Sequence, residues 1–328
     1  MNARVILLSQ GRIRPLWRFF LSAGAIFLAV VLVGLAVGFV FGGLAGKPPG
    51  FFTAQASSSL LLFLALLGIF KILCLVFERR PLGSTGLALG GRWRAELALG
   101  LVVGTLMILA VAGLEYALGS LHFSLSPEAP ARQAGWGLGL LAVLALAAAN
   151  EEMTFRGYPF QRLIESIGPV GAIVVLSALF GAIHLGNPNH TWASTANTML
   201  VGVPLSIAYL RTRMLWLPIG VHFAWNFVQG FVLGLPVSGI QFPVSLLRAE
   251  VSGREWLTGG SYGPEGGVVT LAVVLLATGY LALSKRIYMS EETKSLVFGP
   301  LGASRPPARI FNLSEPAEPP AATLLDSK

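Results

Sequence analysis

Residues 135–157 read GWGLGLLAVLALAAANEEMTFRG, and this stretch decides the class of fold. Its first part, 135–150, carries no charge, and two glutamates and an arginine then follow in 151–156. A helix needs about 20 predominantly apolar residues to cross a bilayer. The segment is therefore predicted to be a transmembrane helix with ionisable side chains near one end.

Similar apolar stretches recur along the whole chain of 328 residues, 54% of which are hydrophobic and only 12% charged. A soluble domain carries about 25% charged residues, so soluble, disordered, collagen-like and disulfide-framework classes are excluded. The single cysteine, Cys74, lies inside an apolar run. The sequence predicts an all-α, polytopic membrane helix bundle of about eight transmembrane helices. The predicted spans are 19–46, 52–77, 97–118, 135–155, 169–186, 191–210, 214–235 and 266–284. Lys71 and Glu115 lie near span ends, where a long side chain is expected to reach the interface.

Basic residues predict the orientation of these spans, because cytoplasmic loops are enriched in Lys and Arg. With both termini cytoplasmic, the opposite side holds only Lys47, Arg132, Arg248 and Arg254. The cytoplasmic segments hold Arg4, Arg12, Arg14, Arg18, Arg79, Arg80, Arg92, Arg94, Arg156, Arg162, Arg211, Arg213, Lys285 and Arg286. The net charge of +8 is thus attributed to inner loops and not to nucleic-acid binding.

Five segments are predicted along the chain. They are a basic cytoplasmic arm (1–18), transmembrane helices 1–3 with their loops (19–134), a core of helices 4–7 (135–235), an extracytoplasmic loop with helix 8 (236–286) and a polar, disordered cytoplasmic tail (287–328).

Ionisable or strongly polar side chains at membrane depth indicate a functional site by default. Three clusters stand out. In the first, Glu152 and Arg156 are four residues apart and can pair on one helix face, which leaves Glu151 free. An isolated cluster of this kind fits an interfacial ion pair at a helix end equally well.

The second cluster is Phe180…His184, and a lone membrane histidine is often only hydrogen-bonded to a carbonyl. The third is His222…Asn226, two polar groups on one helix face, which could equally form an interhelical contact. Depth favours a joint role for all three clusters. If helices four and five turn near Ser166–Gly168, with helix four protruding into the cytosol, Glu151 and His184 lie nearly level.

These clusters, in this order and on successive helices, resemble the CPBP (Abi) family of intramembrane proteases, which includes the type II CAAX prenyl endopeptidases and bacterial bacteriocin-processing and immunity proteins. The family pattern is EExxxR, FxxxH and HxxxN, and the resemblance covers about residues 135–230. The stretch 259–266, GGSYGPEG, also resembles a loop common in bacterial members.

The resemblance implies an enzyme that hydrolyses a peptide bond with a glutamate-activated water. Glu151 would be the general base, helped by His184, while His222 and Asn226 would donate to the oxyanion and Asn226 would also orient His222. Glu152 with Arg156 would brace the helix, and Phe180 would orient His184. These supporting residues are expected to position the four catalytic ones.

A metal-independent site without a cofactor is favoured, although Glu151, His184 and His222 could supply three ligands to a catalytic zinc. Aspartyl, rhomboid-like serine and HExxH metalloprotease types lack their residues in this sequence. The expected partners are the bilayer and a membrane-associated peptide or protein substrate, accessible from the cytosol. The expected location is a bacterial cytoplasmic (inner) membrane, crossed several times.

Two alternatives stay open at this point. A non-enzymatic immunity or scaffold protein could keep the same fold and use the polar cluster for binding. A proton-coupled transporter could relay protons through Glu151 and the histidines, but the sequence shows neither an internal repeat nor matched broken helices.

Overall fold

The computed structural model describes residues 8–9, 12–44 and 50–299, and most of them are helical. The helices are α1 (Pro15–Gly38), α2 (Phe51–Leu73), α3 (Trp93–Ala117), α4 (Pro130–Arg156), α5 (Tyr158–Ile183), α6 (Trp192–Thr212), α7 (Trp216–Phe227), α8 (Glu255–Thr258), α9 (Val268–Leu283) and α10 (Glu291–Phe298). Single π-helical turns extend α1 to Leu44, α2 to Glu78 and α7 to Val232. Short 3₁₀ turns occupy Leu82–Thr85, His184–Gly186, Gly260–Tyr262 and Pro264–Gly266.

Two small antiparallel sheets accompany the helices. β1 (Leu8–Ser9) pairs with β2 (Arg12–Ile13) just before α1. β3 (Leu121–Leu125) pairs with β4 (Leu247–Val251), with Leu121 opposite Val251 and Leu125 opposite Leu247. The second sheet therefore joins the end of α3 to the long segment between α7 and α9.

Five helical segments of the described residues are long and apolar enough to cross a membrane. They are Pro15–Gly43, Phe51–Glu78, Trp93–Ala117, Pro130–Gly186 and Trp192–Thr212. The segment Pro130–Gly186 contains both α4 and α5, whereas α7 and α9 are shorter, with 12 and 16 residues. Each of the eight predicted stretches overlaps a helix, but the number of crossings stays a prediction.

The outer surface of the bundle is apolar, as expected for a protein in lipid. Phe27, Leu106, Val170 and Leu276 are 71%, 61%, 72% and 76% exposed. A water-soluble monomer rarely exposes apolar surface on this scale. The exposure therefore agrees with a membrane-embedded bundle.

The region between Glu151 and His184 differs from the predicted hairpin in one respect. The helix begun at Pro130 ends at Arg156, because Gly157 takes a non-helical conformation, and a second break follows at Gly168, with φ 78°. Gly168 tolerates this left-handed conformation because it has no Cβ, and Pro169 begins the next helical stretch. The expected turn is present, but the predicted protrusion is a separate helical piece and not a continuation of α4.

Two further expectations were wrong. Glu115 does not extend out of the bundle, because the residue is only 1% exposed, whereas Lys71 lies on the surface. Part of the tail that was predicted to be disordered forms helix α10, which begins after the N-cap residue Ser290. Arg80 donates hydrogen bonds to the carbonyl oxygens of Leu296 and Gly299 in this part of the chain. Residues 300–328 lie outside the described residues.

Close backbone packing holds α7, which carries His222, against α3. Gly100 and Gly104 of α3 face the backbone of Leu217, Gly220 and Val221, and a Cβ at either glycine would collide with a carbonyl oxygen of α7. Such small residues allow two helices to approach closely in a membrane.

Gly104→Ala is expected to lower the unfolding free energy by about 1–3 kcal/mol, because the added methyl group must push the two backbones apart. The measurement is the midpoint of thermal unfolding in detergent. Gly113→Ala on the same helix is the matched control, since a Cβ there meets nothing within 4 Å. Equal midpoints for the two variants would contradict the packing argument.

Candidate active site

The last two turns of α4 carry a buried ion pair. Glu152 and Arg156 are both 0% exposed, and Arg156 Nη1 donates to the two carboxylate oxygens of Glu152 at 3.1 and 3.3 Å. Arg156 Nη2 also donates to the carbonyl of Gly202 at 3.1 Å, and its guanidinium lies 4.7 Å from the Phe180 ring. The pairing predicted from the spacing is confirmed, and it fixes α4 against α5 and α6.

His222 of α7 lies between the two adjacent glutamates. Its Nδ1 is 2.8 Å from Glu152 Oε1, and its Nε2 is 3.8 Å from Glu151 Oε2. Because the ionised Glu152 can only accept, we assign the proton of a neutral His222 ring to Nδ1. Asn226 was expected to orient His222, but the residue that holds its Nδ1 is Glu152.

His184 follows the last residue of α5. Its Nδ1 lies 2.6 Å from the carbonyl oxygen of Phe180, which can only accept, so Nδ1 carries the proton and Nε2 is left as an acceptor. The Phe180 ring packs against the imidazole at 4.9 Å and meets the His222 ring edge-on at 6.2 Å. Phe180 therefore contacts both histidines and Arg156, and its role in orienting His184 stays a prediction.

One cavity of about 390 Å³ brings the four candidate catalytic residues together, since Glu151, His184, His222 and Asn226 all line it. The Glu151 side chain is 33% exposed, whereas that of its neighbour Glu152 is fully buried. The helical periodicity that separates the two carboxylates by about 100° explains this difference. Glu151 faces the cavity, and Glu152 faces the protein interior.

Two polar residues beside the candidate catalytic residues, Glu265 and Ser238, were not predicted as site residues, nor was Gln229, the hydrogen-bond partner of Glu265. Glu265 Oε2 accepts a hydrogen bond from Gln229 Nε2 at 2.7 Å, and its Oε1 lies 3.3 Å from the backbone N–H of Ser238. Glu265 lines a smaller cavity of about 60 Å³ together with Ser238, His184, His222 and Asn226. The sequence signal that could have indicated Glu265 is the Gly-rich stretch 259–266, which contains this residue and directly precedes an apolar run.

Burial raises the pKa of Glu265 from 4.5 to about 7, and the hydrogen bond from Gln229 offsets only part of this effect. The folded state therefore binds this proton more tightly than the unfolded chain does between these two pH values. The stability of the protein should fall as the pH rises from 4.5 to about 7.

Glu265→Gln removes the titrating group, so the stability advantage of the native protein over this variant is expected to shrink across that pH window. Thermal unfolding midpoints of both proteins, measured at several pH values, test the effect. Glu250→Gln at an exposed position of β4 is the control. Parallel pH profiles for the native protein and Glu265→Gln would disprove the shift.

The three side chains that could have held a zinc ion do not form a ligand group in this geometry. Among the described residues, no three His, Cys, Asp or Glu side chains are grouped so that they could hold a metal ion. The Nδ1 atoms of both histidines are engaged by Phe180 and Glu152, which leaves only their Nε2 atoms for further contacts. No step of the mechanism below is therefore routed through a metal.

Residues 133–228 match the family model described as Type II CAAX prenyl endopeptidase Rce1-like. This part of the chain is Rce1-like. The resemblance to the CPBP family is thereby confirmed over nearly the same residues that carry the three motifs, 151–226. A search of curated proteins finds no match. The apolar helices indicate an integral membrane protein, and its segment 133–228 is similar to the type II CAAX prenyl endopeptidases.

Proposed function

We propose that the protein is an intramembrane endopeptidase that hydrolyses a peptide bond of a membrane-associated peptide or protein with a water activated by Glu151. One observation carries the proposal. The free carboxylate of Glu151 faces the cavity 3.8 Å from the Nε2 atom of His222, whose Nδ1 is already held by the buried Glu152. A structural ion pair alone would need neither the second glutamate nor the two histidines.

The activated water binds between Glu151 and the Nε2 atom of His184. The neutral His184 ring offers Nε2 as an acceptor, so His184 can hold one hydrogen of the water while Glu151 removes the other. The bound geometry replaces a bimolecular encounter with a positioned attack on the scissile carbonyl carbon.

Donors in the same cavity then stabilise the developing oxyanion. The side-chain N–H of Asn226 can donate directly. His222 enters the reaction as an imidazolium and donates from Nε2, and Glu151 and Glu152 beside it balance that charge. When the C–N bond breaks, the proton held by Glu151 passes to the leaving nitrogen. The products are a new carboxyl terminus and a new amino terminus.

The finer topology belongs to the same proposal. Eight spans with both termini in the cytoplasm are supported by the excess of arginine in alternate loops, and the proposed location is a bacterial inner membrane. The breaks at Gly157 and Gly168 divide the longest helical segment, Pro130–Gly186, into the separate passes that this count requires.

The test is cleavage of a transmembrane-peptide library by the purified protein, read by mass spectrometry. His184→Ala is expected to lower the cleavage rate by about 100-fold or more, because general-base catalysis needs the oriented water. His190→Ala, an exposed histidine six residues later, is the matched control and should cleave normally.

Addition of phenanthroline to the native enzyme separates the two ways of activating water. Unchanged cleavage supports the glutamate mechanism, and loss that zinc restores would replace it with a metal-dependent one. Equal cleavage by His184→Ala and the native protein would remove His184 from the mechanism.

A further inference from the structure

The two ends of the bundle differ in charge. One end contains the N-termini of α1, α3 and α7 and the C-termini of α2 and α6. We name it the arginine-rich end. Its described basic residues are Arg14, Arg18, Arg79, Arg80, Arg92, Arg94, Arg162, Arg211, Arg213, Lys285, Arg286 and Lys294, and they outnumber the acidic residues Glu78, Glu96, Glu165, Glu291 and Glu292. At the opposite end, the described basic residues Arg132, Arg248 and Arg254 are balanced by Glu128, Glu250 and Glu255.

The 390 Å³ cavity extends from the candidate catalytic residues toward the opposite end only. On α4 its lining residues run from Leu140 to Ala147 and all precede Glu151, toward the N-terminus of the helix. At 1.5 Å per residue, Leu140 lies about 16 Å from Glu151 along the axis. Phe51 and Gln55, which also line the cavity, belong to the first turns of α2 at the same end.

Toward the arginine-rich end the site is closed. Behind the buried Glu152–Arg156 pair, Met153, Tyr158 and Phe160 are all 0% exposed. A separate cavity of about 260 Å³ lies at that end, and none of the four candidate catalytic residues lines it. A substrate therefore reaches Glu151 from the end that carries the β3–β4 sheet and the loops after α5 and α7.

We propose that the scissile segment of the substrate enters from the extracytoplasmic side of the membrane. The inference rests on the proposed function and combines the direction of the cavity with the rule that arginine-rich loops stay in the cytoplasm. It replaces the expectation of a cytosolic substrate that the sequence alone had suggested.

The cavity walls define the chemical class of this segment. Leu140, Val143 and Leu144 form an apolar wall on α4, and Asn187 and Ser238 supply polar groups on the other side. An extended polypeptide can place apolar side chains against the first wall and its backbone groups against the second. The substrate is thus a secreted or outer-leaflet-anchored polypeptide segment with an apolar face.

Cysteine labelling tests the direction without any need for activity. Cys74 is buried and is the only cysteine, so Cys74→Ala provides a background for single cysteines. Ala147→Cys probes the deep cavity, one turn before Glu151, and Gln55→Cys probes its mouth. Arg248→Cys marks the opposite end and Glu292→Cys marks the arginine-rich end, since both positions are exposed. If Cys74→Ala does not fold, the buried Cys74 can be retained and its own labelling subtracted.

A small, charged, membrane-impermeant thiosulfonate is added to right-side-out and to inverted membrane vesicles. In right-side-out vesicles we expect Ala147→Cys, Gln55→Cys and Arg248→Cys to react. Glu292→Cys should react only in inverted vesicles. Reaction of Ala147→Cys together with Glu292→Cys, or no reaction of Ala147→Cys from either side, would overturn the proposal.

Adding Glu151→Gln to the same chains separates this inference from the proposed function. Labelling should be unchanged by Glu151→Gln, because access does not depend on catalysis. A protein that labels as expected but cleaves nothing would refute the protease and leave the direction of the cavity intact.

Discussion

Glu151→Gln is expected to reduce the rate of peptide cleavage by roughly 10²- to 10⁴-fold, the contribution of a positioned general base. Glutamine keeps the size and shape of the side chain but cannot take a proton from water. Because the Glu151 side chain is 33% exposed and makes no contact with His222 shorter than 3.8 Å, the change should leave the fold intact. The measurement is the cleavage rate of the same peptide library, with thermal unfolding as the check on folding.

Two companion variants make this result specific. Glu250→Gln at an exposed site should cleave at the native rate. Glu151→Asp keeps the carboxylate but withdraws it by about one methylene length, so it should recover part of the rate. Native cleavage by Glu151→Gln would end the proposed role of this residue.

Arg156→Ala is expected to give the largest loss of stability, about 3–5 kcal/mol, because it leaves the carboxylate of Glu152 buried without its partner. Both side chains are 0% exposed, so water cannot replace the lost hydrogen bonds. Glu152 also holds Nδ1 of His222, so cleavage should fall together with stability. The measurements are the unfolding midpoint in detergent and the cleavage rate.

Arg132→Ala offers a matched control within the same chain. Arg132 pairs with Glu128 at 2.7 Å across the same spacing of four residues, but the two side chains are 55% and 25% exposed. Exposed pairs contribute about 0–1 kcal/mol, so this variant should lose little stability. Similar losses for Arg132→Ala and Arg156→Ala would show that burial does not decide the strength of the pair.

Local rules of helix geometry predicted much of the candidate site. The spacing of Glu152 and Arg156 predicted their ion pair, and the offset between adjacent residues predicted that Glu151 would face elsewhere; both features are present. These rules succeed because they depend on residues within one or two turns of a single helix.

Long-range contacts were out of reach of the same reasoning. Glu265 reaches the site from a loop more than 30 residues beyond Gln229, its hydrogen-bond partner, as the separation of 36 positions shows. Glu115 was expected at an interface because it lies near the end of a predicted span. The structure buries it, because its exposure depends on how other helices pack against α3. The break at Gly157 was missed because the charged stretches on both sides, 151–156 and 161–165, were read as one helix that continues into the cytosol.

Hydrophobicity along the chain was enough to predict a membrane helix bundle, and spacing along single helices was enough to select the candidate residues for its chemistry. Only the tertiary structure decided that Glu152 orients His222, that Glu265 and Ser238 join the site, and at which end the cavity opens. Those features depend on how separate helices and loops pack in three dimensions, and no local pattern of residues encodes that packing.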